Sequence, residues 1–447
     1  MSEGFQIVHQ RINILIFCVI LLFFVYSGKV LYIFLITEQI EVKKSIQIKK
    51  INYRNEIVDR NEVILAISLP TISIAINPQK IIDFDYTISS LVKIFPEVDK
   101  KILIKQLSNK EKRFVWIKRN ISPKQQDLLN EVGLPGIFFE KDHTRIYPHK
   151  NLTSFIVGYT DVDQNGLAGV ERSFDNFLKE KDQKLKLTID LRLQNILYNE
   201  LKDQIKNVSA IGGSGLITDV KSGEILAMVS LPDFNPHKSS SYKKDELFNR
   251  ISLGVYEFGS VFKPITIASA LDAKSINTYE KFDSTPPLKI GKYSINDFVA
   301  SKERMIDAET ILVKSSNIGT GRIALKMGID KQKEYLKKFG MFEPIFIGLP
   351  EKGYPLWPKN WSDLNAVTIS YGHGCAITAL HLVQTIATIV NDGKKCNLNL
   401  IKNDDLPEQN CEQILKKDVS KKMRKMLRNV VVIGSGKRAE VEGYCLG

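Results

Sequence analysis

Residues Val255–Thr266 read VYEFGSVFKPIT, and their order dictates where a helix begins. Gly259 permits a sharp backbone turn, and Pro264 is tolerated only in or very near a first helical turn, so the helix starts close to Ser260. Val261, Ile265 and Ala268 follow at i, i+4 and i+7, which predicts one buried face. Residues three apart on a helix are neighbours, so Ser260 and Lys263 project together from its mouth. A serine hydroxyl needs a base before it attacks. Lysine becomes that base when burial or a nearby cation draws its pKa down from about 10.4. Amide N–H groups at such a helix start can stabilise an oxyanion.

Ser-x-x-Lys alone is a weak signal, because it recurs at Ser90/Lys93, Ser240/Lys243 and Ser241/Lys244, in a surface helix and a polar linker. A second element strengthens it. The stretch VKSSNIGT at 313–320 places Ser315 and Asn317 just before another helical run. Ser315 can shuttle a proton with Lys263, and the Asn317 amide can bond both the lysine and a substrate peptide group. Ser-x-Asn is also common here, at Ser275/Asn277 and Ser294/Asn296.

The 447 residues have room for about three domains. The formal charge of +13 comes from scattered lysines with no finger, basic-zipper or RNA-binding signature, so it reads as a solvated surface and no nucleic-acid partner is expected. Residues 12–36, INILIFCVILLFFVYSGKVLYIFLI, carry a single charge, Lys29, and are long enough to cross a membrane. Without an A-x-A-like site they read as an uncleaved anchor behind a short head, 1–11. His9 and Arg11 before the span and Lys29, Lys43 and Lys44 after it leave its orientation undecided by local charge. The five cysteines form no C-x-x-C pair or zinc spacing. Cys396 and Cys411 can pair if the body is extracytoplasmic, but free buried thiols are expected.

Beyond the anchor, Ile/Val-rich runs up to Pro78 predict strands, and 81–129 reads as helical. Turn signals follow at Gly158, Gly166 and Gly169, and a helix opens at Asp190 with Gln194 in its first turn. Two apolar runs around Lys221-Ser222-Gly223 predict a hairpin, and helices are expected at 261–274, 317–327 and 378–390. The fold class is α+β, with a domain boundary in the charged stretch 179–186.

Ser-x-x-Lys, then Ser-x-Asn, then Lys-Thr-Gly is the signature of penicillin-binding proteins. This sequence resembles the class B members, and among them the septal D,D-transpeptidases of cell division. The likeness runs through RNEIVDRNEVILA with Asp59 and Arg60, and RIYPHKNLTSFIVGYTDVDQNGLAGVERSFD with Arg145, Tyr147, Pro148, Gly169 and Glu171. It continues through LTIDLRLQ, DVKSGEILAMVSLPDFNP, NRISLGVYEFGSVFKP, KSSNIGT and ISYGHGCAITALHLVQ, in family order. Departures are Asn55 and Glu62 in place of glycines, and Phe258 and Ala379 in place of prolines.

The resemblance implies a pedestal (dimerisation) domain over 41–180 and a transpeptidase domain, a β-lactamase-like sheet covered by helices, over 187–447. It implies an acyl-enzyme on Ser260, with Lys263 and Ser315 catalytic and Asn317 binding substrate. No metal or cofactor is implied. The expected ligands are D-Ala-D-Ala stem peptides and β-lactams, and the expected partners are the lipid II polymerase and other divisome membrane proteins. The expected place is the bacterial inner membrane, single-pass, with the bulk periplasmic. The 447 residues contain no Lys-Thr-Gly. The resemblance therefore implies a transpeptidase domain cut short before its cleft-edge strand, with an exposed sheet edge. It leaves open an inactive divisome scaffold or a decayed gene product. A β-lactam-sensing receptor is disfavoured by the N-terminal span and the absence of H-E-x-x-H.

Overall fold

A computed structural model describes residues 13–32, 53–180, 183–299, 302–402 and 411–447. The head 1–11, the ends of the expected span at 12 and 33–36, the pedestal start at 41 and residues 181–182 of the expected boundary lie outside the described residues. The chain forms two compact units, Met1–Tyr53 and Arg54–Gly447. In the first, α1 (Asn13–Tyr32) is one apolar helix of 20 residues, long enough to cross a membrane.

The second unit is mixed α+β. It opens with β1 (Ile57–Val58) and the 13-residue β2 (Ile64–Ile76). Next come α2 (Phe84–Ile94), α3 (Lys100–Leu107), β3 (Val115–Ile121), α4 (Pro123–Val132) and β4 (Ile137–Ile146). β2 pairs antiparallel with β4 along Ile67–Ile76, and on its other edge with β1 at Ile64 and Ala66 and with β3 from Ile72. Pro70, which has no N–H to donate, falls between those last two partners. Ile74 and Ile76 meet Ile88, Leu91 and Leu103 in one core.

The helical expectation over 81–129 holds for α2 and α3 and fails at β3. There Val115, Ile117 and Ile121 are buried and Trp116 is exposed, a period-two pattern that Lys118 and Arg119 disguise as a charged helix face. β4 was not foreseen at all.

The Arg145…Glu171 block has a physical reason. Glu171 is fully buried and accepts hydrogen bonds from Arg54 Nε and from Arg145 Nε, the latter at 2.7 Å. Arg54 also donates to Asp175 Oδ1 (2.7 Å), so two buried guanidinium groups meet two carboxylates. Gly158 and Gly169 let two backbone segments touch: a Cβ on Gly158 would lie 1.9 Å from Ala168 O.

β5 (Leu185–Lys186) pairs parallel with β1, and α5 (Leu191–Asn207) starts at Asp190, which caps Arg192 N. Buried Asp59 adds its own acceptor to the Leu191 N–H (3.1 Å), and Arg60 pairs with Glu224 (3.2 Å) on the following hairpin. That hairpin is β6 (Gly213–Thr218) with β7 (Ile225–Leu231), turning at Asp219–Gly223 as expected. Ile57, Leu65, Ile225 and Met228 share one core, so the pedestal base and the hairpin are packed as one body.

The remaining chain is mostly helical: α6 (Lys263–Asp272), α7 (Ala308–Lys314), α8 (Asn317–Met327), α9 (Ile329–Lys338), α10 (Asp363–Ser370), α11 (Ala379–Val390) and α12 (Lys417–Val432). Every residue of α6 is buried, where one buried face was expected. The other helices surround it, and an internal helix has no solvent side. The expectation of free buried thiols is overturned at Cys396 and Cys411, which form a disulfide. Their loop is closed by the pairing of Lys394–Lys395 with Glu412–Gln413, a contact fifteen or more residues apart that no spacing rule supplies. Cys375 is free and buried; Cys18 and Cys445 are free and exposed.

Candidate active site

Gly259–Phe262 forms a tight 3-10 turn that runs directly into α6. Gly259 has φ +61°, and its N–H donates to Gly372 O (3.2 Å). Gly372, at φ +83°, leaves no room for a side chain: a Cβ there would lie 2.2 Å from Gly259 O. Glu257 braces the same approach by accepting from Gly374 N (2.9 Å). Two glycines and a carboxylate thus hold the YGHG segment against the serine turn.

Ser260 is exposed, whereas Lys263 is 1% exposed at the first position of α6. Lys263 Nζ donates to Ser260 Oγ (2.9 Å), Ser315 Oγ (2.8 Å) and Ser315 O (2.8 Å), which uses all of an ammonium's hydrogens. None of these acceptors carries a charge. Burial pulls the lysine down to about 8, and the carboxylate of Asp297 partly opposes it. At neutral pH roughly one molecule in ten then carries the free amine.

Ser315 ends α7 in the left-handed conformation, φ +54°, a sparsely populated state for serine that costs on the order of 1–3 kcal/mol. The bend returns its hydroxyl and carbonyl to Lys263 while the chain starts α8. Ser316 caps α8 by accepting from Gly319 N (2.9 Å) and donates to Asp297 Oδ2 (2.6 Å). Asp297 Oδ1 accepts from Ile318 N (2.9 Å). Asp297 therefore does two things: it secures the start of α8 and it places negative charge near Lys263. Sequence reasoning missed it, although the only hint lay in plain view. Ser294/Asn296 reads only as a further match to a common pattern, and the acid next to it is the one that accepts from Ile318 N.

The structure brings Ser260, Lys263 and Ser315 together. Asn317 is not bonded to the lysine, whose hydrogens are already engaged; its Nδ2 donates to Asn296 O (3.2 Å). Beside Ser260 opens a cavity of 490 Å³ with apolar walls from α11 and α12, including Leu382, Ile386 and Val430. Among the described residues no cluster of three or more His, Cys, Asp or Glu could hold a metal. A nucleophile in solvent, a base held largely out of it and N–H groups at a helix start are what acyl transfer requires.

Comparison with known proteins points the same way. Residues 213–447 match the penicillin binding protein transpeptidase domain, and residues 50–209 match the penicillin-binding protein dimerisation domain. The chain is 32% identical over 401 residues to the probable peptidoglycan D,D-transpeptidase FtsI of Caulobacter vibrioides, covering 88% of this chain and 68% of the relative. It is 29% identical over 421 residues to the probable peptidoglycan D,D-transpeptidase PbpC of Pseudomonas aeruginosa, covering 88% and 74%. Peptidoglycan D,D-transpeptidase FtsI of Escherichia coli is 28% identical over 482 residues, covering 99% and 81%.

Proposed function

This chain belongs to the penicillin-binding transpeptidases of peptidoglycan synthesis, serine enzymes, and from that premise we propose that Ser260 is its acyl acceptor, Lys263 its base and Ser315 its proton shuttle. The observation that carries the assignment is a buried amine, discharged toward neutrality, 2.9 Å from an exposed hydroxyl.

In this mechanism Ser260 Oγ bonds to the penultimate D-Ala carbonyl as its proton passes to Lys263 Nζ, directly or through Ser315 Oγ. The oxyanion is stabilised by the N–H groups of the serine turn. Collapse breaks the bond to the terminal D-Ala, whose nitrogen takes the proton back. A second strand's amine then attacks the ester, gives its proton to Nζ, and Ser260 Oγ recovers it as the crosslink forms. Asn317, at the start of α8 with its Oδ1 free of hydrogen bonds among the described residues, holds the substrate peptide group. A β-lactam acylates the same oxygen.

The protein is held at the inner membrane by α1 with its bulk outside the cytoplasm. The Cys396–Cys411 disulfide supports that side, because oxidising compartments preserve such bonds. The septal role rests on the ordered sequence blocks, and contacts with the lipid II polymerase and other divisome proteins would be made by α1 and the pedestal. A fluorescent fusion spread along the side wall, with no mid-cell band, would remove the septal assignment.

The decisive test is labelling of the detergent-solubilised chain with a fluorescent penicillin. Labelling lost in Ser260→Ala is expected. A folded preparation that takes no label would favour the inactive scaffold instead.

A further inference from the structure

Glu257 and His373 form a carboxylate–imidazole couple beside the serine turn that acylation of Ser260 leaves unused. His373 Nδ1 lies 3.3 Å from Glu257 Oε2, and the other oxygen of that carboxylate accepts from Gly374 N (2.9 Å). The backbone fixes both residues. Val255 and Tyr256 pair antiparallel with Thr378 and Ile377, and Gly259 N donates to Gly372 O (3.2 Å), so His373 directly follows the residue that touches the turn. The imidazole is held a second time by the Tyr371 ring, which meets it edge to face at 5.6 Å. Tyr371 in turn shares a buried cluster with Ile318 of α8. His373 is thus tied to both segments that build the site, the serine turn and the start of α8. A carboxylate on Nδ1 keeps the proton there and leaves the Nε2 lone pair as the base. No hydrogen bond engages Nε2 among the described residues, and more than half of the side chain is exposed.

The crosslinking half-reaction needs a second base. Lys263 takes one proton from Ser260 and returns one to the leaving D-Ala nitrogen, so it meets the acyl-enzyme as the free amine. The incoming amine is an ammonium at neutral pH, and it must shed two protons to become an amide N–H. One leaves before it attacks and one as the new bond forms. Lys263, which must hand a proton to Ser260 Oγ, accounts for the second alone. Water, the competing nucleophile, has only one to shed.

We propose that His373 is the general base for the acceptor strand's amine and that Glu257 is its positioning residue, a role that rests on the Ser260 acyl-enzyme put forward above. An ammonium N–H bond breaks as its proton passes to His373 Nε2, and the freed amine bonds to the acyl carbonyl. Its second proton travels through Lys263 Nζ to Ser260 Oγ as the ester bond breaks, and the imidazolium gives the first to solvent. The negative charge of Glu257 favours an ammonium here over a neutral nucleophile.

The test follows how the acyl-enzyme partitions. The solubilised full chain is acylated with a benzoyl-D-alanyl thioester, and amide and acid products are counted with D-alanine as the amine or with hydroxylamine, which is already a free base at neutral pH. His373→Ala should lower the amide-to-acid ratio with D-alanine by about tenfold to a hundredfold and leave the ratio with hydroxylamine within about twofold. Added imidazole should restore part of the D-alanine ratio. Both products arise from one acyl-enzyme, so slower acylation or a partly unfolded preparation does not move the ratio. An equal fall for both amines would make His373 a structural support, no restoration by imidazole would make it a contact instead of a base, and an unchanged ratio would leave it without a role. Each of these overturns the proposal while the acyl-enzyme stands. A chain that takes neither thioester nor penicillin overturns the acyl-enzyme assignment, and this one with it.

Discussion

Two regions of this molecule bury cations, and they treat them in opposite ways. In the pedestal, Arg54 and Arg145 lie against Glu171 and Asp175, so each guanidinium is matched by a carboxylate. Beside Ser260, the equally buried Lys263 receives only two hydroxyls and a carbonyl, and desolvation drives it toward the free amine. Burial is common to both, but the arginines are given carboxylates, whereas the lysine, the side chain able to give up its proton, is bonded to uncharged acceptors. Where the charge is structural it is neutralised in place, and where a proton must be taken up and returned the opposite charge is kept one shell away, on Asp297.

The largest expected effect comes from making the second region resemble the first. Lys263→Arg puts a group that cannot lose its proton beside Ser260, and penicillin acylation should fall by about a hundredfold to ten-thousandfold, followed as label incorporated over time. Retention of even half the rate would remove the lysine from the role of base.

The converse change is made in the pedestal. Glu171→Gln leaves two buried arginines with one carboxylate too few, and should destabilise the fold by about 3–5 kcal/mol in denaturant titration. A loss below about 1 kcal/mol would mean the cluster is solvated and the comparison false.

Solvent pH sharpens it further. Because the protonated lysine is inactive as a base, acylation should rise about tenfold per pH unit below about 8 and level off above it. A flat profile from pH 6 to 9 would show that Lys263 is already discharged or not needed. The smallest effect is on the position of that curve. Asp297 favours the ammonium, so Asp297→Asn should move the midpoint to lower pH, with a fall in plateau from the loosened start of α8. A midpoint that moves upward would contradict the sign of this interaction.

Much of the site was legible without coordinates because its key pair is local. Ser260 and Lys263 are one helical turn apart, and Gly259 and Pro264 bracket the turn, so helix geometry alone brings them together. The 221–223 hairpin and the helix opened by Asp190 were legible for the same reason: turn and cap chemistry acts over a few residues. β3 was not, since charged residues on an amphipathic strand read equally well as a helix face until β2 is there to pair with it.

By itself, then, the sequence determined the apolar N-terminal helix and the serine–lysine helix start, both consequences of short-range pattern, and its resemblance to a family supplied the order of the two domains. Only the tertiary structure decided that Lys263 is surrounded and drawn toward the free amine, that Ser315, 52 positions away, supplies two of its three acceptors, and that Asp297 secures the start of α8. It also decided that Cys396 meets Cys411. Each of these depends on which groups displace water around a given atom, and that is settled when distant segments pack together.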